Sequence, residues 1–262
     1  MSDSLRRGGQ AKLPGIRRNL AKSATRALDV LEHFAAVKRP LRAIEVGQAF
    51  GWRSSSTDQL LKTMVDSGYL IFEGARKLYR PSPRLVRFGA WLAADYYGGE
   101  RLYRLLNLVH NRSGQVVTLS IRQDDYMQVV DVLQPLNIPH SAVRGVKVPL
   151  IGSTIGSACL AARSDAEIRQ IIAFLDRHRA DPTERVPAVM AHIAITRTRG
   201  YAAGSTLPDD TWAIAMALPP CESGVGVVLG FAGPAASIRN HEATLAALMR
   251  RSIDEVFDIV AP

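Results

Sequence analysis

Apolar and polar positions separate most cleanly between Leu41 and Leu70. Leu60, Leu61, Met64 and Val65 fall at i, i+1, i+4 and i+5, with Thr57 one turn earlier on the same side, which predicts a helix with an inward stripe. Its other side carries Ser55, Ser56, Gln59 and Lys62. The serines are candidate N-caps and Gly68 a C′ stop. Upstream, Ala27, Leu28, Leu31, Phe34 and Ala35 form a helical stripe that starts near Ser23, with Ser23 or Thr25 as N-cap, and ends near Val37. Lys38-Arg39-Pro40 breaks it. Residues 41–50 then predict a short helix with Ile44, Val46 and Phe50 available for packing, and Gly51-Trp52-Arg53 is the turn into the helix first described. Two short strands at 69–72 and 78–80 follow, joined by Glu73-Gly74-Ala75-Arg76-Lys77.

Three helices and a basic hairpin predict a winged helix-turn-helix, in which the third helix enters the major groove and the hairpin tip meets the DNA backbone or the minor groove. Residues 1–22 hold Arg6, Arg7, Lys12, Arg17, Arg18 and Lys22 among Gly, Ser and Pro without an apolar period, and read as a flexible basic arm. After Pro81-Ser82-Pro83, Leu85, Phe88, Trp91 and Leu92 mark a helix whose apolar seam predicts self-association.

From residue 99 the pattern changes. A helix carrying Leu102, Leu105, Leu106 and Val109 and running up to Ser113-Gly114 precedes strands at 115–121 and 127–133, with further strands at 143–148, 211–218 and 224–231. Helices are expected at 154–162, 166–177, 186–199 and 240–260. The chain therefore reads as α+β with two domains: an arm (1–22), a winged helix-turn-helix (23–81), a linking and dimerisation helix (82–98), and a larger domain on an antiparallel sheet (99–262).

Charge gives the first of these domains its chemistry. Residues 1–95 hold 17 Lys and Arg against 8 Asp and Glu, whereas residues 96–262 hold 16 of each, so the whole net charge of +9 lies in the first third. A basic third built on a two-helix motif points to phosphate binding and double-stranded DNA. Arg42, Arg53, Ser54, Ser55, Ser56, Gln59, Lys62, Arg76 and Lys77 are its candidate DNA-binding residues, with Lys62 and Arg76 on phosphate and Gln59 on a base. No run approaches 18 apolar residues, and the basic N-terminus lacks an apolar core or cleavage site, so a cytoplasmic protein without a membrane partner is expected.

Catalytic signatures are missing from the sequence. The six histidines (His33, His110, His140, His178, His192, His241) show no metal-binding spacing, and no phosphate loop occurs. Cys159 and Cys221 are far apart and read as small buried residues, and Cys221-Glu222-Ser223-Gly224 as a hairpin turn. No cofactor, metal or catalytic residue is expected. The competing readings are a metabolite-binding protein without a DNA role and, behind it, a small-molecule enzyme.

Ala24-Thr25-Arg26-Ala27-Leu28-Asp29-Val30-Leu31 and residues 60–70, followed by the stretch 148–161, Arg199-Gly200-Tyr201-Ala202, residues 213–219 and Gly233-Pro234, resemble in that order the IclR family of bacterial transcription regulators, over most of residues 23–260. The resemblance implies a GAF-like effector domain, dimers or dimers of dimers, and operator binding switched by a small metabolite. It also implies a pocket of Ser153, Thr154 and Ile155 at a helix start, Gly204 and Ser205, and the strand residues Trp212, Ala213, Gly230 and Ala232, with His140 and Val148 on the approach. Thr154 beside free N–H groups suits a carboxylate, and the remainder is apolar, so a small aromatic or apolar acid of a catabolic pathway is the expected effector. Ile151 and Ser157 depart from the family's His and Lys. Gln59 stands where Arg is common, which favours adenine over guanine.

Overall fold

The structure, a computed structural model, describes residues 21–97, 100–135, 144–177, 185–206 and 210–259, with the backbone alone at Phe88 and 91–95. The arm up to residue 20, the side chains of the seam residues Phe88, Trp91 and Leu92, and His140 thus lie outside what is described. Described residues up to Ala94 form one unit and those from Asp95 onward another.

Helices α1 (Lys22–Val37), α2 (Ala43–Phe50) and α3 (Ser54–Asp66) enclose the core of the first unit, made of Val30, Phe34, Leu41, Val46, Leu61, Met64, Leu70 and Tyr79. The stripe of α1 is centred on Val30, fully buried, and Leu28 is 62% exposed. Those two positions lie roughly 200° apart around the axis, so both cannot face inward. Ile44, expected to pack, is 61% exposed. α2 approaches α3 closely because Gly47 is buried against it: a Cβ there would sit 3.4 Å from Thr57 Oγ1. Gly51 ends α2 in the left-handed region (φ 64°), where a residue without Cβ is unstrained.

Two of the predicted caps are corrected. The N-cap of α1 is Ala21, and Thr25 Oγ1 donates to its carbonyl at 3.0 Å. The N-cap of α3 is Arg53, and Ser56 Oγ donates back to that carbonyl at 2.9 Å. β1 (Leu70–Glu73) and β2 (Leu78–Pro81) form the hairpin, and Leu41 exchanges backbone bonds with Tyr79, tying the start of α2 to the wing. The left-handed residue of the wing turn is Lys77 (φ 54°), not Gly74. α4 (Arg84–Asp95) follows.

The second unit is a six-stranded antiparallel sheet in the order β5-β4-β3-β8-β7-β6. Its strands are β3 (Val117–Gln123), β4 (Tyr126–Leu133), β5 (Lys147–Pro149), β6 (Ala202–Thr206), β7 (Thr211–Ala217) and β8 (Val227–Pro234). Side chains alternate between faces. Val117, Leu119, Ile214, Met216, Leu229 and Phe231 pack with α5 (Glu100–Ser113) and α10 (Glu242–Phe257). Met127, Ala202, Ala215 and Val228 face α6 (Thr154–Ala161), α7 (Asp165–Leu175) and α8 (Val186–Arg199). A short α9 (Ala235–Ile238) precedes α10. Strand β6 is not among the strands that the sequence pattern predicts, because Ala-Ala-Gly-Ser-Thr lacks the alternation that marks a strand.

Candidate functional site

In the first unit, the exposed side of α3 gathers most of the predicted contact residues. Ser54, Ser55, Gln59 and Lys62 are exposed, as are Arg42, Arg53, Arg76 and Lys77, and Ser56 is half-buried. Arg53 is set by the turn before it: Trp52 stacks on Phe50 at 4.5 Å, and Arg26 lies over the Trp52 ring at 4.7 Å. Thr57, 1% exposed, donates to the Arg53 carbonyl from the buried side at 3.1 Å, fixing the start of the helix. The first N–H groups of α3 have no partner within the helix and carry its positive end, a seat for phosphate.

The cations on this surface have acidic neighbours. Lys62 Nζ lies 2.6 Å from Asp58, Arg76 lies 3.4 Å from Glu73, and Arg39 lies 2.9 Å from Glu45. The backbone N–H of Arg42 donates to Glu45 at 2.8 Å. That hydrogen bond, aided by Arg39, holds the Glu45 carboxyl below its usual range. Asp58, Lys62, Arg42, Lys77, Phe72 and Tyr79 border an open groove of about 700 Å³ between α3 and the wing. Its Phe72 and Tyr79 rings meet at 4.7 Å.

In the second unit, the start of α6 is locked by three contacts. Ser153 Oγ donates to the Pro149 carbonyl at 2.5 Å and accepts from Gly156 N–H at 3.1 Å, and Ser157 Oγ donates to the Ser153 carbonyl. A Cβ on Gly156 would lie 2.0 Å from the Leu150 oxygen, so only glycine permits this approach. Thr154 faces Gly204, where a Cβ would sit 3.2 Å from its Oγ1. Register puts Gly204 opposite Ala213, Ala213 opposite Ala232, and Gly230 opposite both Ala215 and Thr118. Paired residues share a face, so these small residues form one surface under α6, with Ile155 and Val148 packed at the same cluster.

Trp212 and Ser205 are on the other side of the sheet, which corrects their assignment to this surface. They pair with each other one residue out of phase with Gly204 and Ala213. The Trp212 indole N–H donates to Glu242 at 3.0 Å, Arg239 covers its ring at 5.0 Å, and Tyr201 donates to the same carboxylate at 3.1 Å. Sequence reasoning missed Thr118 and Ser120, which alternate with Val117 and Leu119 and so face α6. Thr118 Oγ1 donates to the Gly230 carbonyl at 3.3 Å. Ser120 is fully buried, and its Oγ has no hydrogen-bond partner among the described residues. Their signal was present as two hydroxyls at alternate positions of an apolar strand.

Beyond these surfaces, Tyr97 (φ 59°) donates to the Pro219 carbonyl at 2.5 Å and meets Phe257 edge-on at 4.9 Å. Burial, with Cys221 alongside, pushes its pKa up. Cys221 stands in the β7–β8 turn, whose Gly224 N–H donates to the Cys221 carbonyl at 2.9 Å. Cys159 is buried, which raises its pKa. Among the described residues no cluster of His, Cys, Asp and Glu has a metal-binding arrangement, and no helix is long and apolar enough to cross a membrane.

The family model of the IclR helix-turn-helix domain matches residues 23–73, and that of the bacterial transcriptional regulator IclR C-terminal domain matches residues 100–256. The chain belongs to the IclR family. This IclR-family chain is 25% identical over 191 residues to the HTH-type transcriptional regulator XynR of Escherichia coli, covering 71% of this chain and 75% of XynR. It is 26% identical over 192 residues to the transcriptional repressor IclR of Escherichia coli, covering 69% and 68%. The fold is shared with the Thermotoga maritima IclR (TM-score 0.54, 16% identity, 90% of this chain and 97% of that one). An IclR-family regulator from Brucella abortus shares it too (TM-score 0.52, 21% identity, 93% and 94%). The protein is thus a DNA-binding transcriptional regulator of IclR type, and its family is one of regulators, not enzymes.

Proposed function

We propose that this regulator binds its operator as a homodimer or a dimer of dimers, through α3 and the wing, and releases or tightens that grip when a small organic acid binds under α6. The observation that carries the effector assignment is the meeting of the α6 start with a sheet face of small residues and buried hydroxyls. The N–H groups of Thr154 and Ile155 are freed by helix geometry, the Thr154 hydroxyl is a further donor to the same carboxylate, and the helix dipole favours that anion. Ala213, Gly230 and Ala232 give this face small apolar side chains that suit an apolar or aromatic body, and Thr118 and Ser120 place hydroxyls on the same face. A catabolic intermediate of this shape fits the reading. Trp212, on the opposite face of the sheet, takes no part in it.

The effector acts only by binding two arrangements of the protein unequally, since a ligand with equal affinity for both shifts nothing. The coupling runs through α4, which joins the two units. The test is fluorescence anisotropy of promoter DNA from the protein's own locus, titrated with a panel of aromatic and aliphatic carboxylic acids. One or more acids should change DNA affinity by about fivefold or more, the usual range of such coupling. Thr154→Val should weaken that acid's effect about tenfold, the scale of one hydrogen bond to a charged group, with DNA affinity unchanged when no acid is present. A wild-type response to an acid that Thr154→Val and Ser120→Ala both leave intact would remove the effector from this face.

A further inference from the structure

The helix expected to enter the major groove is itself acidic. α3 carries one cation, Lys62, against two carboxylates, Asp58 and Asp66. The positive charge lies around it, on Arg42 and Arg53 before the helix and on Arg76, Lys77 and Arg80 of the wing. Asp66 is in the last turn, and base edges are met by the N-terminal residues of such a helix. Asp58 is in the second turn, next to Gln59. An ionised carboxylate accepts hydrogen bonds and donates none. Brought between phosphates, Asp58 lowers affinity for every duplex that offers it no donor.

Asp58 is accessible for such a contact. Its side chain is 44% exposed and that of Lys62 is 67% exposed, with Lys62 Nζ 2.6 Å from Asp58 Oδ2. The pair borders the groove between α3 and the wing, presenting an acceptor and a donor side by side. The major-groove edge of a C·G pair carries the matching order, with cytosine N4 donating and guanine O6 and N7 accepting. A T·A pair reverses it, with thymine O4 accepting and adenine N6 donating.

We propose that Asp58 and Lys62 together read one C·G pair in each half-site, Asp58 accepting from cytosine N4 and Lys62 donating to guanine O6 or N7, beside the base met by Gln59. This rests on the operator-binding reading, and it moves Lys62 from the phosphate-binding cations to the base readers. Specificity follows from the acid as much as from the contact, because an unpaired charge penalises the wrong sequence. An exposed i,i+4 pair contributes little to folding, so its alteration falls on DNA recognition and not on the fold.

The test selects duplexes from a random-sequence pool with the full chain, then measures affinity for the winner and its single-pair variants. The proteins compared are wild type, Asp58→Asn, and the double exchange Asp58→Lys with Lys62→Asp. Wild type should enrich a C·G pair whose replacement by T·A weakens binding about tenfold, the scale of one bidentate base contact. Asp58→Asn should cut that factor to under about threefold and leave preferences at the other positions as they were. The double exchange should turn the preference to G·C. Thermal unfolding followed by circular dichroism checks that each variant folds, and if the double exchange does not, Asp58→Asn decides alone. An Asp58→Asn protein with the wild-type ranking at every position overturns the proposal. A wild type that enriches no sequence overturns the operator-binding reading itself, which is a separate result.

Discussion

Gly156 shows how a single residue sets a site. Its missing side chain lets the first turn of α6 rest against the Leu150 carbonyl, so the helix start, with its free N–H groups, is held at one place above the sheet. Gly156→Ala forces the two apart, and overpacking of this kind costs about 1–3 kcal/mol. Urea unfolding should show that loss, and effector binding should weaken with it because Thr154 moves with the helix. Gly152, two residues before Thr154, has a positive φ of 93° and open space around it, so a substitution there strains the backbone without a clash. Asp58 makes the same point for recognition. One carboxylate, paired with Lys62 in the middle of α3, should be enough to tell one base-pair orientation from another.

At the scale of elements, strand alternation decides more than residue type does. Trp212 and Ala213 are neighbours in β7, so they face opposite sides of the sheet and cannot line one pocket. Trp212 instead ties β7 to α10 through Glu242 and Arg239. Trp212→Ala should therefore lower unfolding stability by about 2 kcal/mol, less than the 3–5 kcal/mol of a fully buried tryptophan, and leave effector selectivity as it was. A changed ranking of acids with unchanged stability would contradict that placement. The helices were legible in the sequence: Leu61 and Met64 repeat at helical spacing and are buried, and α8 lies where its pattern predicts. β6 was not legible, because four small residues and a single terminal threonine carry no alternation. The caps of α1 and α3 were not legible either, since Thr25 and Ser56 turn their hydroxyls back to carbonyls one turn earlier instead of accepting N–H bonds. For the candidate site, motif order located the α6 start and the small residues of β7 and β8. It did not assign faces, which depend on register between strands far apart in sequence. The buried hydroxyls of β3 came into view only with that register.

For the whole molecule, the division of charge matches the division of labour. The positive excess lies in the first third, and the larger unit is neutral, so long-range attraction to DNA acts on the part that reads it. Within that part the recognition helix is net negative, which leaves the flanking cations to hold the duplex and the base contacts to choose it. Arg76→Ala should then weaken binding to all sequences alike and reduce the salt slope by about 1, the mark of one lost phosphate contact. Whether the basic unit both holds and reads DNA is decided by the affinity of the full chain for its own promoter fragment and for a random duplex across a range of salt concentrations. Both affinities should fall linearly on logarithmic axes, with the promoter curve displaced to tighter binding throughout. Binding that ignores salt, or two coincident curves, would contradict that expectation.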